Sequence, residues 1–253
     1  MARYWDIVNK VINESDILLE ILDARLVEES RNKEIEDKVK RAEKTLIYVI
    51  NKCDLVEKPA LERYKRELRP CVFISAKKHL GTGFLRAEIM KHAPKDKFKV
   101  GVLGYPNTGK SSVINALKGR GSAPTSSISG YTKGIQLIRV SKKMYLIDTP
   151  GVFPYKEKDE AKHAKIAART FADLKDPESA CMDMIEEFPS QIEKYYKVKH
   201  SDDPEEVLEQ IALKLNRLKK GGLPDTNAAA RIVLKDWQEG RIRKRIILRK
   251  RSS

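Results

Sequence analysis

Four short motifs, and the order in which they occur, constrain the fold of this chain more than any other feature. The sequence NKCD stands at residues 51–54 and SAK at 75–77; the glycine-rich GYPNTGKS follows at 104–111 and DTPG at 148–151. Each motif begins close to the end of a short apolar run of the kind that forms a buried strand. In open α/β sheets, ligands bind at the carboxyl ends of the strands. One edge of a single sheet should therefore gather all four motifs.

Short apolar runs alternate with charged, helix-like stretches over the first 173 residues. This alternation predicts the α/β class, with a mostly parallel sheet covered by helices on both faces. The predicted strands are residues 17–22, 45–50, 71–74, 100–103, 135–140 and 144–147. After about residue 173 no strand-like run stands out until the extreme C-terminus, and DDP at 202–204 is a typical helix start. We therefore predict an α/β domain at residues 1–173 and a small, helical, basic domain at residues 174–253.

The composition indicates the cellular compartment in which the protein is expected to work. The chain has 253 residues, 41% hydrophobic and 34% charged, and no apolar run approaches the ~18 residues that span a bilayer. The N-terminus lacks the basic start and apolar stretch of a secretory signal. The three cysteines lack metal-ligand spacing and are odd in number, which favours a reduced compartment. We expect a cytoplasmic monomer with no membrane partner.

The charge balance predicts a polyanionic partner. The formal net charge is +15 and the isoelectric point is about 9.6, which favours nucleic acid over a membrane surface. Several phosphate contacts add up because each releases counterions. A highly charged surface or an unstructured tail without RNA contacts remains the alternative. The predicted RNA-binding residues crowd the C-terminus: Arg241, Arg243, Lys244, Arg245, Arg249, Lys250 and Arg251.

The motif at residues 104–111 fits the pattern G-x-x-x-x-G-K-S, in which backbone N–H groups and a helix N-terminus surround phosphates. Lys110 is expected to reach the β- and γ-phosphates, and Ser111 to offer its hydroxyl to Mg²⁺. The glycines allow a close backbone approach that a Cβ would block. The predicted phosphate-binding residues are Asn107, Thr108, Gly109, Lys110, Ser111, Ser112 and Gly151.

A magnesium site is predicted beside the phosphates. Asp148 follows a predicted strand and should hold Mg²⁺ through water, while the Gly151 N–H contacts the γ-phosphate. Thr132 is the predicted second hydroxyl ligand and, with Lys110, the predicted catalytic residue. The same loop contains the alternatives Thr125, Ser126 and Ser127.

The motifs NKCD and SAK predict recognition of guanine. The Asp54 carboxylate can accept hydrogen bonds from both guanine N1–H and its 2-amino group, whereas adenine has neither donor and would leave a buried carboxylate unpaired. Asn51 can contact the base edge or tie loops together, and the Lys52 stem can lie over the base plane. Ala76 would offer its backbone N–H to guanine O6. The predicted guanine-binding residues are Asn51, Lys52, Asp54, Ser75, Ala76 and Lys77.

The motifs resemble those of the circularly permuted GTPases of ribosome assembly, specifically the YlqF/RbgA type. The guanine motifs precede the phosphate loop, the switch threonine and the Asp-x-x-Gly motif, which is a rotation of the common order, in which the guanine motifs come last. The resemblance implies a circularly permuted P-loop GTPase fold, GTP hydrolysed to GDP and phosphate with Mg²⁺, and the large ribosomal subunit or its rRNA as partner. It covers residues 23–151 well and extends weakly to GGLPD at 221–225 and AAAR at 228–231. Val27 and Ser129 stand where the family usually has proline.

Two residues refine the expected mechanism. Val152 occupies the position after Asp-x-x-Gly where many GTPases carry a glutamine that orients water. Hydrolysis should therefore be slow alone and accelerated by a partner. Asn107 resembles an asparagine with which related GTPases hold K⁺ near the phosphates; the alternative is that it only stabilises its own turn.

Two rival functions remain open from the sequence. One is an RNA-binding module in which guanine nucleotide only orders the fold; the other is a GTPase acting on another RNA or on a protein. The motif order also suggests a switch, since the predicted γ-phosphate sensor at residues 148–151 leads along the chain into the helical domain. GTP would then set the geometry of RNA binding, and hydrolysis would release it.

Overall fold

The computed structural model describes residues 2–119, 136–148 and 176–242. The chain divides into two compact units, Met1–Glu157 and Lys158–Ser253. The last described residue before the division is 148 and the first after it is 176. The division at residues 173 and 174 that the sequence suggested stays a prediction, because it lies outside the described residues.

The described part of the first unit contains six strands and seven helices. In chain order, these are α1 Ala2–Glu14, β1 Ile17–Asp23, α2 Val27–Ser30, α3 Lys33–Arg41, β2 Thr45–Asn51, α4 Lys58–Leu61, α5 Tyr64–Glu67, β3 Cys71–Phe73, α6 Thr82–His92, β4 Phe98–Leu103, α7 Lys110–Lys118, β5 Gln136–Arg139 and β6 Met144–Asp148. A 3₁₀ turn, Cys53–Leu55, follows β2.

The six strands form one sheet in the order β3-β2-β1-β4-β6-β5. All neighbours are parallel except the pair β5 and β6, which is antiparallel. In the register of β1 and β2, Asp23 lies beside Asn51. The prediction of a mostly parallel sheet is confirmed, and all six predicted strands are present with bounds shifted by a few residues.

Helices cover both faces of this sheet. On one face, Leu85 of α6 and Val113 of α7 join Leu19 of β1 in an apolar cluster that excludes water. On the other face, Val11 of α1 and Ile35 of α3 pack with Leu18. Because β1 is buried on both faces, its sequence is a nearly continuous apolar run rather than an alternating one.

The described part of the second unit is helical. Its helices are α8 Pro177–Glu187, α9 Gln191–Tyr196, α10 Pro204–Lys214 and α11 Thr226–Gln238. Aspartates cap three of them: the side chains of Asp176, Asp203 and Asp225 each accept a backbone N–H of the first turn. Trp237 is fully buried and stacks on Phe188, with ring centroids 4.7 Å apart. The predicted helical character is confirmed for these residues.

None of the helices among the described residues is long and apolar enough to cross a membrane.

Candidate functional site

The site lies where the strand order reverses, between β1 and β4. The chain runs from β1 outward to β2 and β3 on one side, and β4 begins the other half of the sheet. Such switch points form the ligand crevice of open α/β sheets. Gly104 follows β4 with φ +136°, and a Cβ placed there would lie 2.6 Å from the Ile21 carbonyl oxygen. Only glycine lets the phosphate loop leave β4 this close to β1.

The phosphate loop holds itself together through its own polar groups. The buried Thr108 hydroxyl donates to the Tyr105 carbonyl oxygen at 2.8 Å. The Lys110 ammonium donates to the carbonyl oxygens of Gly104 at 2.9 Å and Tyr105 at 2.7 Å. The Thr108 side chain therefore shapes the loop from inside. Asn107 at the loop tip is exposed and adopts φ +60°.

Helix α7 begins directly at the end of this loop, so its N-terminal N–H groups open toward the crevice. Ser111 and Ser112 in its first turn are exposed, as predicted phosphate or metal ligands must be. Burial lowers the pKa of Lys110 to about 8, and the charge of Asp148 opposes part of that shift. Burial also raises the pKa of Asp148, against the effect of Lys110. The start of α7 and the end of β6 thus place a cation and a carboxyl group close enough to influence each other.

Asn51 joins the guanine motifs to the phosphate loop. Its side-chain amide N–H donates to the Thr108 carbonyl oxygen at 2.9 Å, and its side-chain oxygen accepts the Ala76 N–H at 3.1 Å. Gly109 makes the first contact possible, because a Cβ there would lie 2.2 Å from Asn51 Nδ2. Of the two roles that the sequence suggested for Asn51, the structure shows the one that ties loops together. The Ala76 N–H points to Asn51 here, and its donation to guanine O6 stays a prediction.

Lys52 makes a second link between the two halves. Its ammonium donates to the Asn107 carbonyl oxygen at 2.9 Å and pairs with Asp23 at 2.8 Å. Asp23 also accepts from Arg25 at Nε, 2.9 Å, and Nη2, 2.7 Å. Burial alone would raise the pKa of Asp23, but Arg25 and Lys52 hold it well below its usual range. Neither Asp23 nor Arg25 was predicted as a site residue, although Asp23 ends a strand beside Asn51.

Asp54 is largely buried and ionised. Burial opposes its ionisation, but hydrogen bonding from Ser75 and Lys78 outweighs that effect and lowers the pKa of Asp54. The Lys78 ammonium lies 3.1 Å from Asp54 Oδ2. The Cys53 N–H donates to the Ile74 carbonyl oxygen at 3.1 Å, which fixes NKCD against the end of β3. The sequence analysis did not predict Lys78 as a site residue, because it lies one residue beyond the SAK motif. Lys77, the lysine within the motif, is exposed.

Most of the predicted nucleotide-binding residues lie in the first unit at the carboxyl edge of the sheet, and some predicted residues lie outside the described ranges. Thr132 with its alternatives, Gly151, Val152 and the tail residues Arg243, Lys244, Arg245, Arg249, Lys250 and Arg251 are all outside. Arg241 is described: its guanidinium donates to Asp236 at 2.8 Å and pairs with Glu239. Its predicted role in RNA binding therefore competes with two carboxylates of its own unit.

Two protein families match overlapping parts of the sequence. Residues 99–217 match the family described as 50S ribosome-binding GTPase, and residues 32–156 match the RsgA GTPase family. Both matches include the phosphate loop, because they overlap at residues 99–156, and only the RsgA GTPase match also includes the guanine motifs.

Relatives match nearly the whole chain. It is 41% identical to an uncharacterized GTP-binding protein of Methanocaldococcus jannaschii, over 93% of this chain and 65% of that protein. It is 34% identical to nucleolar GTP-binding protein 2 of Yarrowia lipolytica, over 95% of this chain and 50% of that protein. The chain therefore spans between half and two thirds of these relatives. GNP-bound YlqF from T. maritima matches in fold, with a TM-score of 0.68 at 22% identity, over 96% of this chain and 97% of that one.

The strand order and the meeting of the motif regions at one sheet edge define a P-loop GTPase domain whose guanine motifs precede its phosphate loop. The sequence matches and the fold agree with that class. Within it, the chain has the circularly permuted motif order of the YlqF/RbgA type, and its fold is that of YlqF. The predicted fold is confirmed, and the matching families agree with the predicted family.

Proposed function

We propose that this protein binds GTP, hydrolyses it to GDP and phosphate, and acts as a switch in the assembly of the large ribosomal subunit. The observation that carries the proposal is the pair of Asn51 hydrogen bonds, to Thr108 and to Ala76. They hold the guanine motifs and the phosphate loop in one frame. A ligand that contacts both must carry a base at one end and phosphates at the other.

The donor set fits a guanine nucleotide. Asp54 is ionised, and guanine presents two N–H donors that a carboxylate can accept together. Gly104 keeps side-chain atoms out of the phosphate loop, and α7 directs its N-terminus toward the crevice. Lys110 supplies the cation for the β- and γ-phosphates. Its pKa of about 8 should rise once phosphate oxygens surround it, because nearby anions favour the charged form.

Magnesium fits the oxygen groups of the same edge. Ser111 offers a hydroxyl and Asp148 a carboxylate, the hard oxygen ligands that Mg²⁺ prefers together with water and phosphate. Thr132 is the proposed further ligand and, with Lys110, the proposed catalytic residue. When bound, Mg²⁺ neutralises charge on the β- and γ-phosphates during transfer. Lys110 stabilises the same developing charge from the loop.

Turnover by the protein alone is expected to be slow. Val152 offers no side-chain group to orient the attacking water, so a partner should supply or order one. The exposed Asn107 is positioned at the loop tip, where K⁺ beside the phosphates would supply the charge of an arginine finger. Dependence of the rate on K⁺ is therefore part of the proposal.

The partner is proposed from charge and from the names of relatives. The net charge of +15 suits an RNA-rich partner. One matching family is described as 50S ribosome-binding, and one relative as nucleolar. We propose large-subunit rRNA as the binding partner of a cytoplasmic monomer, with the tail arginines and lysines among its RNA contacts.

The test measures GTP hydrolysis in K⁺ and in Na⁺ buffer, each with and without purified large ribosomal subunits. Stimulation by subunits, greater in K⁺, is the expected result. Tight GTP binding without turnover under any condition would favour an RNA-binding module in which nucleotide is structural. Turnover stimulated by another RNA or by a protein, and not by subunits, would assign the switch to that partner.

A further inference from the structure

A short β-hairpin joins α10 and α11 in the second unit. The Asp225 N–H donates to the Arg217 carbonyl oxygen and the Lys219 N–H to the Leu223 carbonyl oxygen, both at 2.8 Å. Leu218 and Pro224 form an antiparallel bridge between these two bonds. The Gly222 N–H donates to the Lys219 carbonyl oxygen at 3.1 Å and closes the turn. Residues 217–225 therefore form an ordered hairpin with its own backbone hydrogen bonds.

Both ends of this hairpin are fastened to helices. The Arg217 N–H donates to the Ala212 carbonyl oxygen of α10 at 2.8 Å. At the other end, the Asp225 side chain accepts the Ala228 N–H at 3.0 Å and caps α11. A projection held at both bases loses little conformational entropy when it binds.

The hairpin tip is narrow and open. Gly221 and Gly222 adopt φ +95° and +81°, and a Cβ placed on either would meet no atom within 4 Å. The glycines are needed for the backbone conformation. They also leave positions 221 and 222 without side chains, so that another backbone can come close there.

Cations and leucines share the surface of the hairpin and the end of α10. Lys214, Arg217, Lys219 and Lys220 are exposed, and none has an ion-pair partner among the described residues. Residues 210–224 contain no aspartate or glutamate. Leu213, Leu218 and Leu223 are 55%, 45% and 65% exposed, whereas most large apolar side chains of this unit are buried. Apart from Asp225, which caps α11, the charged side chains of the hairpin are all positive. Such a surface with exposed apolar groups fits a polyanion that also presents apolar faces.

We propose that this hairpin is an RNA-binding element that recognises unpaired nucleotides. Its cations would contact phosphates, and its leucines would cover bases or riboses that pairing and stacking leave open. A fully paired RNA offers the phosphates but few open base faces. The proposal rests on the proposed RNA partner and adds a second contact region to the tail.

The test uses the full chain and two labelled RNA probes, a stem-loop with a single-stranded bulge and a fully paired duplex of equal length. Lys219→Ala combined with Lys220→Ala should weaken binding to both probes roughly 10–30-fold near physiological salt and lower the salt slope by about two. Leu223→Ser should weaken binding to the bulged probe by about tenfold, leave the duplex unchanged and leave the salt slope unchanged.

Lys194→Ala combined with Lys199→Ala is the matched control, since both lysines are exposed in the same unit. The control should change binding far less than the hairpin variant, and circular dichroism should show all variants folded.

Equal effects of the two lysine pairs would overturn the proposal, and so would a Leu223→Ser variant that weakens binding to both probes alike. If substitution of the tail residues Arg249, Lys250 and Arg251 weakens binding while hairpin variants do not, the hairpin proposal fails and the proposed RNA partner stands. If the unaltered chain binds neither the probes nor large subunits, both the hairpin proposal and the proposed RNA partner fail.

Discussion

Asp23 is a buried carboxylate whose main contribution is to place a lysine. Removing ions from water costs free energy that their attraction does not always return, so a buried ion pair is weak evidence for stability. The contribution of Asp23, Arg25 and Lys52 is to fix the position of the Lys52 ammonium. With Asp23 on one side, the Lys52 ammonium is held where it also donates to the Asn107 carbonyl oxygen. The charge at the end of β1 thus helps to fix the phosphate loop.

Asp23→Asn should destabilise the fold by about 3–5 kcal/mol, because the fully buried Arg25 and the partly buried Lys52 would lose their counter-charge. Urea unfolding without nucleotide measures the change. Asp202→Asn is the control, since that carboxylate is fully exposed, and its unfolding midpoint should match that of the unaltered protein. Equal unfolding midpoints for Asp23→Asn and the control would show that stability does not depend on the negative charge between Arg25 and Lys52.

A second carboxylate, Glu20, controls how β1 meets α3. It is fully buried within an otherwise apolar strand face, and its Oε1 accepts the Asn32 N–H at 2.8 Å. Asn32 in turn caps α3 by accepting the Ile35 N–H. Burial, together with the neighbouring charge of Glu36, raises the pKa of Glu20 to about 8. At neutral pH this side chain is therefore largely protonated in the folded protein.

Glu20→Gln should remove a pH dependence of stability. An unfolded glutamate loses its proton near pH 4.5 and the folded one near pH 8, so the folded state binds more protons between these values. Stability of the unaltered protein then falls as the pH rises through this window, whereas glutamine is unaffected. At pH 5 the two proteins should be similar, and by pH 8 the variant should be more stable by about 1 kcal/mol or more. A difference that does not change with pH would contradict this assignment.

The phosphate loop needs glycine for space as well as for conformation. Gly104→Ala would bring a Cβ to 2.6 Å from the Ile21 carbonyl oxygen, so β1 and β4 must separate at the nucleotide edge. We expect a loss of stability of about 2 kcal/mol or more and weakened nucleotide binding. Gly83→Ala is the matched control: a Cβ there meets no atom within 4 Å, and the residue lies in α6. The control should be neutral or stabilising by up to about 1 kcal/mol. Thermal unfolding and titration with labelled GTP compare the two.

At the scale of the elements, the strands could be predicted from the sequence better than the contacts between them. Continuous apolar runs such as residues 17–22 identify buried strands, and motif spacing identifies Asn51 and Lys110 as site residues. Helix α8 was not predicted individually, although the Asp-Pro pair at 176–177 is a typical start signal. The contact of Lys52 with Asn107, 55 residues away, depends on strand order and side-chain rotamers. Local patterns carry no information on either.

At the scale of the whole molecule, the motif order gives the helical unit a direct covalent route to the phosphate site. Strand β6 ends at Asp148, and the described part of the helical unit starts at Asp176. In the common motif order the guanine motifs would stand between these points.

Backbone amides of α8–α11 should exchange hydrogen at different rates with GDP and with a non-hydrolysable GTP analogue, if nucleotide state sets the geometry of the helical unit. Hydrogen exchange followed by mass spectrometry measures this, with large-subunit RNA absent in one series and present in the other. Amides of β1 and β2 serve as the internal reference, because they lie in the sheet core. Identical protection of the helical unit in both nucleotide states would remove the switch from the proposal.

The double attachment of Asn51 also bears on how the chain is made. Synthesis from the N-terminus delivers β1, β2 and β3 before β4 exists, so one edge of β1 has no partner strand until residue 100 and beyond have emerged. The Asn51 amide likewise has no Thr108 carbonyl oxygen to donate to until that residue has been synthesised. Nucleotide therefore has no complete site to bind until the phosphate loop has been translated, and the base-reading half must fold, or be kept from aggregating, without help from its own ligand.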